Sequence, residues 1–238
     1  MEFAKYNRRL LLCCLIFSIS SRTLLHAQNS TENEYGAWWM FCGSTKIHED
    51  WSIPIVGILR YHDLMDKYAF GFVSSGVSYK ISKASSVEGG IAFLNSTAYS
   101  DLYDSKNSTQ FWLYGSYTLK SYLKKDLILQ RFRIENRRLI TDENPKVNNR
   151  FRYRLQYVTP ISERLYFKTY NELFLNLKGD AFNQNRLFVG IGQKLNDHLK
   201  VETGYFNRRF SNRQEHMILF GMIFDIYIYK EDLALLSN

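Results

Sequence analysis

The chain has 238 residues, a formal net charge of +8, and 17 Tyr and 17 Phe residues. This length fits a single all-β domain. The basic residues alternate with acidic and aromatic ones rather than forming a concentrated basic surface, which argues against binding to nucleic acid.

Residues 1–27 have the pattern of a secretory signal peptide. Lys5, Arg8 and Arg9 precede the apolar run LLLCCLIFSI, and Ala27 supplies the small residue before a predicted cut. The apolar run is shorter than the roughly 20 residues that a membrane-spanning helix needs. Without this segment, 27 basic and 22 acidic residues remain. We therefore expect an exported protein.

The composition after residue 27 is typical of a membrane barrel. Cys42 is the one cysteine left, so no intrachain disulfide is possible. No run of 18 apolar residues follows the signal segment, yet aromatic residues are abundant. Barrels that span a membrane need neither disulfides nor apolar helices, and they carry aromatic girdles at both interfaces.

After a polar segment at 28–35, the sequence divides into strand-like pieces separated by polar connections. The predicted strands outside the central stretch are 36–44, 51–62, 68–81, 87–97, 110–119, 198–210 and 216–229. The central stretch, 125–194, contributes four more. No motif repeats at a spacing of 20–50 residues, which argues against a propeller or a solenoid.

The central stretch alternates charged residues with apolar ones. In RFRIENRR one side of a strand carries Arg131, Arg133, Glu135 and Arg137, and the other side carries Phe132 and Ile134. The segment FRYRLQYV repeats this alternation on the next strand. An arginine-rich face on neighbouring strands fits a barrel whose polar face lines the lumen and whose apolar face meets lipid.

Connection lengths support the same architecture. Short turns alternate with longer polar loops, which is the asymmetry between the periplasmic and outer ends of a bacterial outer-membrane barrel. The predicted strands number eleven, whereas an all-antiparallel closed barrel needs an even number. Either one segment is two strands or GAWWMFCGS (36–44) is not a full strand. We predict a closed antiparallel up-and-down transmembrane β-barrel of 10–12 strands.

Several segments resemble a known family. RFRIENRR, FRYRLQ, YNELFLN, NRLFVGIGQKL and LKVETGY, followed by an apolar strand that opens with His216, resemble the domain of unknown function 2490 family. The resemblance is strongest over 125–225 and extends in register over 36–120. It implies a porin-like barrel in the outer membrane of a Gram-negative bacterium, and it supplies no reaction and no catalytic residue.

The candidate lumen lining is the set of charged residues on the polar faces of these strands. Charges that face lipid at mid-depth cost about 2–4 kcal/mol each, so they should face inward. The set is Arg131, Arg133, Glu135, Arg137, Arg150, Arg152, Arg154, Lys168, Glu172, Arg186, Lys200 and Glu202. It could form a ladder of cross-strand ion pairs that fills the lumen. It could also form a cationic path or binding surface for small anionic solutes.

Sequence motifs give no reaction. No G-x-S-x-G or phosphate-binding loop is present, and no Cys/His spacing suggests zinc. His62 and His216 would suggest an outer-membrane enzyme only if a serine or a carboxylate lay within hydrogen-bond reach. All four tryptophans are near predicted strand ends, which suits interfacial anchors: Trp38, Trp39, Trp51 and Trp112.

These observations give one expected organisation: a signal peptide at 1–27, a flexible segment at 28–35, a barrel at 36–230 and a C-terminal tail at 231–238. We expect an outer-membrane barrel with an Arg/Glu lumen, porin-like or structural, with membrane lipid as its surroundings and no cofactor or metal. The alternatives are a membrane-embedded enzyme, a lipid-binding barrel, and a soluble lipocalin-like barrel. The soluble barrel requires Arg152, Arg154 and Glu172 to point outward.

Overall fold

The computed structural model describes residues 35–97, 107–140 and 146–228. The predicted signal peptide, most of the 28–35 segment and the C-terminal tail lie outside these residues. The described residues form eleven strands: β1 (Tyr35–Lys46), β2 (Trp51–Tyr61), β3 (Tyr68–Ser82), β4 (Ser85–Thr97), β5 (Asn107–Leu123), β6 (Asp126–Ile140), β7 (Val147–Pro160), β8 (Leu165–Asn176), β9 (Phe182–Lys194), β10 (Leu199–Arg209) and β11 (Gln214–Tyr227). None of these residues forms a helix that is long and apolar enough to cross a membrane.

The strands close into one barrel in which each strand pairs with its sequence neighbour and β1 pairs with β11. The all-β closed barrel and its strand number are therefore confirmed. The predicted strand 36–44 is a full strand, β1, which pairs along its whole length with β11.

One strand pair differs from the prediction of an all-antiparallel barrel. β1 and β11 are parallel, with Tyr35 opposite His216 and Lys46 opposite Tyr227. The reason is topological: in a ring of eleven strands that reverse direction at every turn, the first and last strands run the same way. Eleven strands can therefore form a closed ring, because one parallel pair, β1 with β11, accommodates the odd number.

The two ends of the barrel differ in the length of their connections. At one end, here called the turn end, the connections are 47–50, 83–84, 124–125, 161–164 and 195–198. At the other end, here called the loop end, β2 and β3 are joined by 62–67, β8 and β9 by 177–181, and β10 and β11 by 210–213. Residues 98–106 and 141–145 lie outside the described residues.

The two faces of the barrel wall follow the period-two pattern of the sequence. On β6, Arg133 and Glu135 are buried on the enclosed face, and Ile134 between them is 59% exposed. Apolar side chains recur at exposed positions on the other strands, for example Val73, Ile91 and Ile191. The wall therefore has a largely apolar outer face and an enclosed face that holds the charges.

The enclosed face also holds an apolar cluster on β1, β3 and β8–β11. Its buried members are Trp38, Phe70, Tyr170, Phe188, Phe206, Met217 and Leu219. Room for such large rings comes partly from glycine. A Cβ added at Gly192 would lie inside the ring of Tyr166, and one at Gly90 would meet the ring of Tyr114. These glycines let an aromatic ring lie directly over the strand.

Candidate functional site

The charges of the enclosed face meet because strand register places them side by side. Arg131 on β6 is opposite Arg154 on β7, and Arg154 is opposite Glu172 on β8. Four residues further along, Glu135 on β6 is opposite Arg150 on β7. Each acid therefore stands next to several long basic side chains that can reach it across strands.

Glu172 is the centre of the first group. Its side chain is fully buried, and its Oε1 accepts hydrogen bonds from Arg131 at 2.9 Å and from Arg152 at 2.8 Å. Its Oε2 accepts one from Arg154 at 2.7 Å. One carboxylate therefore holds three guanidinium groups, two from β7 and one from β6.

Glu135 is the centre of the second group and is also fully buried. Arg150 donates to its Oε2 through Nε at 2.8 Å and through Nη2 at 2.6 Å. Arg152 donates to its Oε1. Because Arg152 also binds Glu172, it joins the two groups into one network.

Two further pairs lie near this network. Lys168 Nζ is 2.7 Å from Glu202 Oε2, and the Tyr166 hydroxyl donates to Glu202 Oε1 at 2.8 Å. Lys200 Nζ is 3.3 Å from Asp225 Oδ2, and both side chains are about one-third exposed. A pair this exposed contributes little to stability.

Two of the twelve candidates, Arg137 and Arg186, have no carboxylate partner among the described residues. Both lie against aromatic rings instead. The guanidinium carbon of Arg137 is 5.5 Å from the ring centre of Trp112. That of Arg186 is 4.5 Å from the ring centre of Phe174 and 5.3 Å from that of Trp38.

Sequence reasoning missed part of the network. Arg133 pairs with Glu88 of β4 at 3.2 Å. Arg60 of β2 and Arg208 of β10 each lie 3.0 Å from Glu215 of β11. A signal was available for Glu88, which lies between Val87 and Gly89, but not for Arg208, whose neighbours Asn207 and Arg209 are both polar. Arg133 and Arg60 pair with acids from distant parts of the chain, so only the tertiary structure shows these two contacts.

The rings of the enclosed face pack between the arginines. The guanidinium carbons of Arg150, Arg152 and Arg186 are 4.7, 4.4 and 4.5 Å from the ring centre of Phe174, which is fully buried. A guanidinium over an aromatic face gains a cation–π attraction that grows when both are desolvated. Charges and rings therefore alternate in this part of the barrel interior.

The turn end contains a polar recess of about 280 Å³. It is lined by serines of β2–β4, including Ser52 and Ser78, and by Lys46, Lys80 and Asp225. The recess is open to solvent at this end.

Two described histidines, His198 and His216, contact groups other than a serine or a carboxylate side chain. His216 Nδ1 is 2.6 Å from the hydroxyl of Tyr205, whose side chain is 44% exposed on the outer face. His198 Nδ1 is 3.2 Å from the carbonyl oxygen of Asp225. Within the described ranges, no three His, Cys, Asp or Glu side chains are grouped so that they could hold a metal ion.

Fold and site define a class: a closed eleven-stranded β-barrel with an apolar outer face and arginine–glutamate pairs on its enclosed face. A family model described as "Protein of unknown function (DUF2490)" matches residues 35–217. The chain belongs to this family, which confirms the resemblance found in the sequence. No curated protein gives a significant match.

Proposed function

We propose that this protein is an outer-membrane β-barrel of a Gram-negative bacterium that is closed by its own network of buried charges. Its role is structural rather than that of an open porin. The signal peptide at 1–27 directs export and is cut after Ala27. The membrane surrounds the apolar outer face, with the turn end in the periplasm.

The observation that carries the membrane proposal is the division of the wall into two faces. Exposed apolar side chains occur on strands around the barrel, such as Phe41 on β1, Ile91 on β4 and Ile191 on β9. Meanwhile Arg152 and Glu172 are buried on the enclosed face. A soluble barrel of the lipocalin type would have the opposite arrangement, because water would favour charges outside and apolar residues inside.

The proposal that the lumen is blocked follows from the burial of charged and aromatic side chains inside the barrel. Glu135 and Glu172 are 0% exposed, and Phe174, Phe188 and Phe206 are at most 1% exposed. Charges that line an aqueous pore remain in contact with water. Fully buried carboxylates bound by several arginines instead form a packed layer across the barrel.

Two matched substitutions test the membrane proposal. Ile134 of β6 and Leu64 of the 62–67 connection are nearly equally exposed, at 59% and 57%. In lipid bilayers we expect Ile134→Arg to lower the free energy of unfolding by about 2–4 kcal/mol, because the arginine would face hydrocarbon. Leu64→Arg should change it by less than about 0.5 kcal/mol, as is usual for surface positions.

Unfolding in liposomes, followed by tryptophan fluorescence, measures both values. Equal, small losses at the two positions would mean that water covers the outer face. Fractionation of cell envelopes would provide an independent check on the location of the unmodified protein.

Current recordings in planar bilayers test the closed state. We expect the inserted wild-type protein to pass no stepwise current. Removal of two guanidinium groups from the layer, in Arg133→Ala/Arg152→Ala, should produce conducting steps, because both side chains are less than one-tenth exposed and each pairs with an acid of the network. Discrete current steps from the wild-type protein would mean that the barrel is an open, porin-like channel and that the structural role is wrong.

A further inference from the structure

Two arginines of the enclosed face are opposite each other on neighbouring strands. Arg186 of β9 is paired in register with Arg208 of β10. Like charges directly opposite on a sheet repel each other. This pair is therefore unfavourable unless a negative charge lies between or beside the two groups.

The neighbouring carboxylates are already occupied. Glu172, opposite Arg186 on β8, is bound by three other arginines at 2.7–2.9 Å. Glu215, opposite Arg208 on β11, lies 3.0 Å from both Arg208 and Arg60. No described carboxylate remains to neutralise Arg186.

The hydrogen bonds of Arg186 leave its two terminal nitrogens, Nη1 and Nη2, available. Its Nε donates to Gln184 Oε1 at 3.4 Å, and Nε of Arg208 donates to the same oxygen at 3.4 Å. Gln184 is 3% exposed. Among the described residues, no acceptor bonds the two terminal nitrogens of Arg186. These nitrogens are not among the buried atoms that lack a partner, so they reach solvent and are open to a small acceptor that displaces water.

Aromatic rings hold both guanidinium groups in place. Arg186 and Arg208 lie 5.3 and 5.5 Å from the ring centre of Trp38, which is 2% exposed. Arg186 also contacts Phe174, and Arg208 contacts Phe70. The side chains are preorganised, so an anion that binds between them loses little affinity to the ordering of the site.

We propose that Arg186 and Arg208 form a binding site for a small oxyanion, the phosphate or carboxylate group of a soluble solute. The planar guanidinium fork matches two oxygens of such a group and gives short, charge-assisted hydrogen bonds. Chloride offers no such pair of oxygens. The site follows from the enclosed face alone and stands whether or not the barrel lies in the outer membrane.

The test uses the purified full-length protein in neutral detergent, with ionic strength held constant while phosphate replaces chloride. We expect phosphate to raise the unfolding midpoint of the wild-type protein and to bind by calorimetry. Arg186→Gln should bind phosphate at least about tenfold more weakly, the equivalent of one lost charge-assisted hydrogen bond. Arg164→Gln is the matched control, because Arg164 is exposed in the 161–164 connection.

The unfolding midpoint of Arg186→Gln in chloride alone shows whether Arg186 has a binding role or a structural one. Loss of an uncompensated cation should leave the midpoint of Arg186→Gln unchanged or raise it. A lower midpoint, together with an undiminished phosphate response, would show that Arg186 is a structural member of the network. Failure of the wild-type protein to bind phosphate in calorimetry would also overturn the proposal, without bearing on the closed-barrel function.

Discussion

The clearest test of the buried network is the removal of one charge, in Glu172→Gln. The amide keeps the shape of the carboxylate and one acceptor oxygen. It loses the negative charge that faces Arg131, Arg152 and Arg154, and it turns an N–H₂ group towards one of them. Three guanidinium groups then share one neutral acceptor inside the barrel.

The expected cost follows from the burial of this site. Glu172 is 0% exposed and Arg152 is 7% exposed, so water cannot replace the lost charge without entering the barrel. Removing one partner of a buried ion pair typically costs about 3–5 kcal/mol, because the remaining charge stays desolvated. We expect a loss in this range for Glu172→Gln.

Urea unfolding in detergent micelles, followed by tryptophan fluorescence, measures this loss. Glu163→Gln is the control, because it makes the same chemical change at an exposed position in the 161–164 connection. It should alter the free energy of unfolding by less than about 0.5 kcal/mol. If Glu172→Gln lost no more than the control, the charges would be solvated and the packed-layer interpretation would be wrong.

Two other predictions concern the wall itself. Cys42 of β1 is opposite Ile223 of β11 in the parallel seam. Ile223→Cys should therefore form a disulfide with Cys42 under mild oxidation, which a mobility shift on a non-reducing gel would show. Met222→Cys is the control and should form no disulfide, because residue 222 points to the other face of the strand. Gly192→Val should lower the free energy of unfolding, measured in urea, by about 1–3 kcal/mol, because the valine side chain would displace the ring of Tyr166. A loss near zero would mean that the ring moves freely.

The period-two pattern made most of the wall predictable. The alternation through RFRIENRR and FRYRLQYV placed Arg133 and Arg152 on one face and Ile134 on the other, and the structure shows the same division. Predicted strand bounds such as 51–62 and 68–81 agree with β2 and β3 to within one residue. Local alternation suffices for these assignments because neighbouring side chains of a strand must point to opposite faces.

The larger errors arose where the answer depends on closure. The parallel pairing of β1 with β11 joins segments that are almost 200 residues apart, and no local pattern encodes it. The pairing of Arg60 on β2 with Glu215 on β11 also requires closure, because these strands lie on either side of β1. Arg133 and Glu88 belong to strands on either side of β5, so no local pattern shows their contact either. Strand order and stagger decide these contacts, and both are properties of the complete ring.

The sequence by itself determined that the chain alternates charged and apolar residues on strands, and it determined which side of each strand carries the charge. Only the tertiary structure decided how those charges are shared. In the folded barrel, Glu172 binds three arginines and Glu135 is completely buried. Arg186 has no carboxylate partner among the described residues. The reason is geometric, because a side chain's face is fixed by its own strand, whereas its partners are fixed by the strands around it.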